Sequence, residues 1–281
     1  MSFGPHPWQQ TSWDARAAGN FMCGGAGAGL IVFTAMAQSS GLALAGLMLA
    51  GLGLVGLGLL SVFLETGRPL RAINVLFNPR TSWMSREAFT AALLFAVGGA
   101  TALGWVRGAW VAAALALVFV YCQARMLRAA KGIPAWREPM VVPLIVSTGL
   151  CEGGGVFLLA LPLHGEGTLW LLALFGALLV VRMLVWLAYR RRLAGALARA
   201  AAVALDRAGW VLQIAGTLAP LALAGLVVIG AVSGVEVPLV AAIAGLMAAC
   251  AGAYLKFTLV TRAGFNQGFA LTHLPVRGQA R

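Results

Sequence analysis

Apolar residues run through this chain in continuous stretches of about 20 positions, the length an α-helix needs to cross a bilayer. The stretches do not alternate with the period of two that a membrane β-strand requires. Eight of them predict eight helices, at roughly 16–39, 42–65, 87–106, 109–128, 140–163, 167–189, 209–233 and 237–261. The expected fold is an all-α integral membrane protein. Two four-helix bundles would fill residues 1–261, and residues 262–281 would form a polar tail. An even number of spans puts both termini on one side. That side also carries the segments 66–86, 129–139 and 190–208, while short links near 40, 107, 165 and 235 lie on the other.

Charge then orients the array. All of the 20 Lys and Arg except Arg107, Arg182 and Lys256 fall on the side of the termini. The positive-inside rule makes that side cytoplasmic, with both termini there. The 9 tryptophans sit near span ends, where an amphipathic ring prefers the interface. Charged residues make up only 10% of the chain, against about 25% in a soluble domain. The net charge of +12 could suggest nucleic acid, but the loops between spans hold it and topology accounts for it, so nucleic-acid binding is excluded. The first 15 residues have neither a basic lead nor an apolar centre, and no cleavable signal peptide is expected.

A few polar positions interrupt the apolar pattern. Arg16, Asn20 and Gly24 recur every four residues and share a helix face, and Gly25 and Gly29 form a small-xxx-small pair suited to close helix packing. Asn20 lies one turn inside the membrane, where an amide needs a partner. Glu65 ends the second span. After it come Gly67 and Pro69, which stop a helix, and a ledge of four arginines, Arg68, Arg71, Arg80 and Arg86. Within the ledge, 70–77 could form a short interfacial helix; Ser85 is the expected cap of the third span, with Glu87 in its first turn. Glu152 falls near the bilayer centre, where an unpaired charge costs about 2.5–3.5 kcal/mol. Arg182, in the next span, is offset from it by roughly 7–8 Å along the normal. A Glu152–Arg182 bridge could be a structural ion pair or part of a proton or substrate path. Lys256 is close enough to a span end to snorkel to the interface.

Other signals exclude chemistry. The G-x-G-x-x-G at 51–56 lies inside an apolar helix, not between a strand and a soluble helix, so it is no dinucleotide fingerprint. The 3 histidines, His6, His164 and His273, fall outside the spans, so haem b ligation inside the bilayer is not expected. Cys23, Cys122, Cys151 and Cys250 are isolated, which argues against zinc and iron–sulfur sites. Any electrons would come from a partner and leave on a diffusible carrier.

The run Glu65-Thr-Gly67-Arg68-Pro69-Leu-Arg71-Ala72-Ile-Asn74, then Ser82-Trp83-Met-Ser85-Arg86-Glu87 and Phe95 to Gly99, resembles the membrane anchor subunits of dimethyl sulfoxide and polysulfide reductases, the DmsC/NrfD type. Trp13, Asn20-Phe21, Gly24-Gly25 and the exit from Arg125 to Ile133-Pro134-Ala135-Trp136 add to the likeness, which spans most of the chain. The resemblance implies a haem-free, quinone-reactive anchor of roughly eight helices in the bacterial inner membrane. Its implied partners are a four-cluster iron–sulfur subunit and a molybdopterin catalytic subunit. Glu65 stands where the dimethyl sulfoxide reductase anchor has a quinol-linked histidine. It could still exchange a proton in a site apolar enough to favour the neutral acid. Asn20 stands where the polysulfide reductase anchor has a quinone-binding histidine. On this likeness Glu65 is the catalytic residue. Asn20, Arg68, Arg16 and Arg125 would hold a menaquinone or ubiquinone, and Arg71, Arg80, Trp83 and Arg86 would dock the partner. A cytoplasmic site would suit a sulfite or phenylacetyl-CoA dehydrogenase that reduces quinone. The competing expectations are a secondary transporter with a Glu152/Arg182 site and a purely structural anchor.

Overall fold

The computed structural model describes residues 6–65, 74–163 and 169–268. Among these the chain is helical, with no β-strand beyond an isolated bridge between Gln9 and Phe265. Eight long helices can be numbered in order. They are α1 (Ala15–Met36), α2 (Gly41–Glu65), α3 (Trp83–Ala102), α4 (Gly108–Ala129), α5 (Val141–Leu158), α6 (Leu169–Arg192), α7 (Arg199–Val228) and α8 (Gly234–Arg262). Seven of them are long and apolar enough to cross a membrane. The exception is α3, whose first five residues include Arg86 and Glu87.

Two helix starts differ from the pattern-based expectation. α3 begins four residues early because the cap is Ser82, not Ser85: the Ser82 hydroxyl accepts the Ser85 N–H at 3.3 Å. α7 begins at Arg199 and takes in a stretch expected to be loop. Its sequence, RAAAVALDRA, is rich in alanine, the strongest helix former, and its charges do not prevent the helix from forming. Of the interfacial helix expected over 70–77, only 74–77 is described, and it forms a 3₁₀ turn.

α1 and α5 lie at the centre. α1 packs on α2, α4 and α5, and α5 packs on α1, α4, α6 and α8. Glycine permits this closeness. A methyl group at Gly153 would collide with the backbone of Gly29 and Leu30, and one at Gly155 with the backbone of Gly245. The N-terminal segment folds back on the end of the chain: Gln10 N–H donates to Gly264 O and Asn266 N–H to Trp8 O, both at 2.8 Å. Those two segments therefore share one face of the molecule.

Three π-helical turns interrupt the long helices, at Asn20–Gly24, Ile214–Leu218 and Thr258–Arg262. A π turn loosens the regular i→i−4 ladder and leaves carbonyls seeking donors, and such turns cluster at functional positions. Side chains supply the donors here. Gln123 donates to Asn20 O at 3.0 Å and Lys256 to Phe21 O at 2.8 Å. Arg182 donates to Gly216 O, and the Trp136 indole to Leu259 O at 2.8 Å.

Candidate functional site

The N-terminal end of α1 is built by short-range bonds. Asp14 caps the helix, accepting the Arg16 N–H at 2.7 Å, and its carboxylate pairs with the Arg16 guanidinium at 2.8 Å. The hydrogen bonds from the Arg16 guanidinium, and after them that from its backbone N–H, hold Asp14 below the usual carboxylate range. Arg16 also donates to Leu64 O at 3.0 Å. It thereby caps one of the last carbonyls of α2 and ties the start of α1 to the turn that carries Glu65. Trp13 stacks on Trp136 with ring centroids 5.0 Å apart and tilts against Phe21 at 5.9 Å.

Between these elements lies a cavity of about 250 Å³, lined by Ser12, Trp13, Ala17, Asn20, Phe21, Val62, Glu65, Met84, Glu87 and Met126. Two residues named from the sequence, Asn20 and Glu65, meet in it. Its other walls are mostly aromatic and thioether side chains. Asn20 is 1% exposed, and its amide nitrogen donates to Glu87 Oε1 at 3.0 Å. The Asn20 side-chain oxygen is buried without a partner, as is the amide oxygen of Gln123. A buried acceptor without a donor is costly, so this oxygen favours a ligand or solvent hydroxyl in the cavity. The partner that the sequence demanded for Asn20 is thus a carboxylate from α3.

Glu87 and Gln123 are the residues that sequence reasoning missed. With the expected cap at Ser85, Glu87 is a first-turn residue that favours the helix N-terminus. With the actual cap at Ser82 it stands a turn deeper and faces inward, 3% exposed. Ser82 and Ser85 are both competent caps, and the sequence does not decide between them. Gln123 caps a carbonyl loosened by a π turn, which leaves no mark in sequence.

The remaining named residues lie elsewhere. Arg16 reaches the edge of the site through Leu64. Arg125 does not line the cavity. It donates to the Tyr121 hydroxyl at 2.6 Å and lies 4.3 Å from the centre of the Trp83 ring. Arg86 lies 4.2 Å from the same ring and donates to Pro79 O at 2.8 Å and Arg80 O at 2.7 Å. Trp83, Arg86 and Arg125 therefore form one cation–π cluster beside the cavity, with the exposed Arg80 next to it. Arg68 and Arg71 lie outside the described residues.

The expected Glu152–Arg182 bridge is not the pair that forms. Glu152 pairs instead with Lys256 at 2.6 Å, with both side chains buried. Lys256 does not snorkel; it is 0% exposed and turns inward to Glu152 and to Phe21 O. Arg182 is equally buried and is held by Ala248 O, Gly216 O and the Thr217 hydroxyl. Both side chains also reach backbone carbonyls in π turns, Phe21 O for Lys256 and Gly216 O for Arg182, which spacing along the sequence cannot reveal. The transporter expectation loses the pair on which it was built. Among the described residues there is no group of three or more His, Cys, Asp or Glu able to hold a metal ion.

The family model described as the DMSO reductase anchor subunit, DmsC, matches residues 16–206. The match covers α1 through α6 and the first turns of α7, and so the whole lining of the cavity from Ala17 to Met126. Comparison with curated proteins finds no match.

Proposed function

The chain belongs to the DmsC family of DMSO reductase anchor subunits, and from that premise we propose that its cavity takes the head group of a membrane quinone. Membership makes the chain a multi-pass membrane anchor subunit of a molybdoenzyme, which associates with a catalytic and an iron–sulfur subunit. The quinone reading goes further, and one observation carries it. Two carboxylic acids, Glu65 and Glu87, and Asn20, whose amide oxygen is buried without a partner, line one largely apolar cavity at the end of the α1–α2 pair.

The residues fit such a ligand. A space of about 250 Å³ is just under the usual range of small-molecule sites, roughly 300–1,000 Å³, and suits a single-ring or fused-ring head group whose isoprenoid tail stays in lipid. Trp13, Phe21, Met84 and Met126 offer faces for the ring. The Asn20 side-chain oxygen can accept a hydroxyl, and Glu65 and Glu87 can each give or take one proton. A quinone bound here, menaquinone or ubiquinone, would carry electrons away as a quinol. This chain's part is to hold the ring, keep bulk water out and deliver the two protons. Glu87, hydrogen-bonded and buried, is suited to the inner oxygen. Glu65, next to the Arg16-capped end of α2, is suited to exchange with the aqueous side.

The cluster of Trp83, Arg86 and Arg125 with Arg80 then forms the docking face for a four-cluster iron–sulfur subunit, with Arg68 and Arg71 in the same ledge by sequence. Arg125 belongs to this face by geometry, not to the quinone site. The positive-inside pattern supports a cytoplasmic location for that face, in a bacterial inner membrane, with both termini on the same side and α3 as an eighth span. A cytoplasmic dehydrogenase of the sulfite or phenylacetyl-CoA type, reducing quinone, suits this arrangement. The three histidines stand outside the apolar runs, which supports a haem-free anchor.

The test is kinetic. In the purified complex, Glu87→Gln and Glu65→Gln should each lower quinone turnover by about 10²–10⁴-fold, the usual worth of a positioned acid or base. Iron and molybdenum content should stay at wild-type levels. Undiminished turnover in both variants would remove this cavity from the reaction.

A further inference from the structure

A second, unrelated groove runs between α7 and α8. Its upper part, about 600 Å³, is lined by Arg199, Arg207 and Arg262 around a floor that includes Val203 and Tyr254. Its lower part, about 390 Å³, is lined by Val211, Ala215, Leu246, Met247, Cys250 and Ala251, with no charged side chain. The two parts stack along the same helix pair. Val211 is one turn below Arg207 on α7, and Cys250 is one turn below Tyr254 on α8, which runs the opposite way. We propose that this groove binds an anionic phospholipid, its phosphate among the three arginines and an acyl chain in the apolar trough below.

Depth supports the assignment. The unbroken apolar part of α7 starts at Gly209, so Arg207 sits at the headgroup boundary and Arg199 just outside it. Arg262 ends α8 on the same side. The outward face of α7 changes from Arg207 to Trp210 and Ile214, exposed by 68% and 47%, and thus from headgroup to hydrocarbon chemistry within two turns. The charge is available. None of the three arginines forms an ion pair with a carboxylate among the described residues, although Arg190 on α6 is paired with Asp206 nearby. A basic pocket between membrane helices on the positive side is the recognised setting for an acidic headgroup. An acidic protein surface would match the arginines but would leave the apolar trough beneath them without purpose.

The test uses the intact complex. It is reconstituted in nanodiscs of phosphatidylcholine containing one-fifth phosphatidylglycerol or cardiolipin, then extracted in mild detergent, and the retained lipid is quantified by mass. Wild type should retain acidic lipid over phosphatidylcholine. Each Arg→Gln change at 199, 207 or 262 should weaken retention roughly fivefold. Ala215→Phe, which fills the trough and leaves the charges intact, should also release the lipid, and the triple Arg→Lys variant should keep it. Three results would overturn the proposal. One is equal retention of acidic lipid by wild type and the triple Gln variant. Another is full displacement by millimolar inorganic phosphate with no effect of Ala215→Phe, which would make the site one for free anions. The third is loss of the iron–sulfur subunit from the triple Gln variant with lipid retention unchanged, which would make the arginines a docking surface.

Discussion

Lys256→Met isolates the buried ion pair that ties α8 to α5. The Lys256 ammonium is fully enclosed and has two partners, Glu152 Oε2 at 2.6 Å and Phe21 O at 2.8 Å. Methionine, one heavy atom shorter, keeps most of the side-chain volume without the charge. Glu152 would then be a buried carboxylate facing no cation within bonding distance, and its other oxygen already has no hydrogen-bond partner. Breaking a buried pair from one side costs about 3–5 kcal/mol. The loss of the bond to Phe21 O adds little, because that carbonyl also accepts the Gly25 N–H. Removing both charges, as in Glu152→Leu with Lys256→Met, restores an apolar interior. Such exchanges are often neutral or stabilising by about 1–4 kcal/mol. The assay is a double-mutant cycle measured by unfolding in mixed micelles of mild detergent and dodecyl sulfate. The single variants should each lose several kcal/mol, and the double variant should recover most of it, for a coupling of about 3 kcal/mol or more. Single losses below about 1 kcal/mol, or strict additivity, would refute the view that this pair is desolvated and interdependent.

Other perturbations probe the site and the packing separately. Asn20→Leu removes a hydrogen-bond donor to Glu87 and the free amide oxygen together, and should raise the KM for a quinone by at least about tenfold, equivalent to one hydrogen bond of roughly 1.5 kcal/mol, with assembly unaffected. Gly153→Ala should force α5 away from Gly29 and Leu30 on α1 and cost about 1–3 kcal/mol in the same unfolding assay, whereas Gly53→Ala, which meets nothing within 4 Å, should cost nothing or stabilise slightly. Trp83→Ala removes the ring that holds Arg86 and Arg125, and should lower the salt concentration at which the iron–sulfur subunit dissociates, as measured by co-purification across a chloride series.

The helices were legible because their signal is the simplest one, long apolar runs ended by turn residues and flanked by tryptophan. Glycine spacing in α1 pointed to close packing, and the structure seats Gly29 directly on Gly153. The meeting of Asn20 and Glu65 was legible from their positions at neighbouring span ends on one side, Asn20 one turn inside its span and Glu65 at the end of the next. Three things were not legible, and the reasons are physical. A cap shifted by three residues, Ser82 for Ser85, sets Glu87 nearly a full turn deeper in its helix, where it lines the cavity. π turns create carbonyl acceptors that no residue type announces, so Lys256 was assigned a water interface although Glu152 and Phe21 O hold it inside, and Arg182 a carboxylate although it is held mainly by backbone oxygen. Arg125 aligns by spacing with the site residues, yet the aromatic face of Trp83 draws it to the outer surface, where a guanidinium gains by stacking.

The central claim is that the cavity between α1, α2 and α3 is where this anchor meets its quinone. Photolabelling of the complex with an azido-quinone, followed by peptide mapping, tests it directly. The account predicts label on the segments that contain Trp13 to Phe21, Val62 to Glu65 and Met84 to Glu87, with labelling suppressed by excess unlabelled quinone. Competable label confined to α6, α7 or α8, with those three segments unmodified, would contradict it.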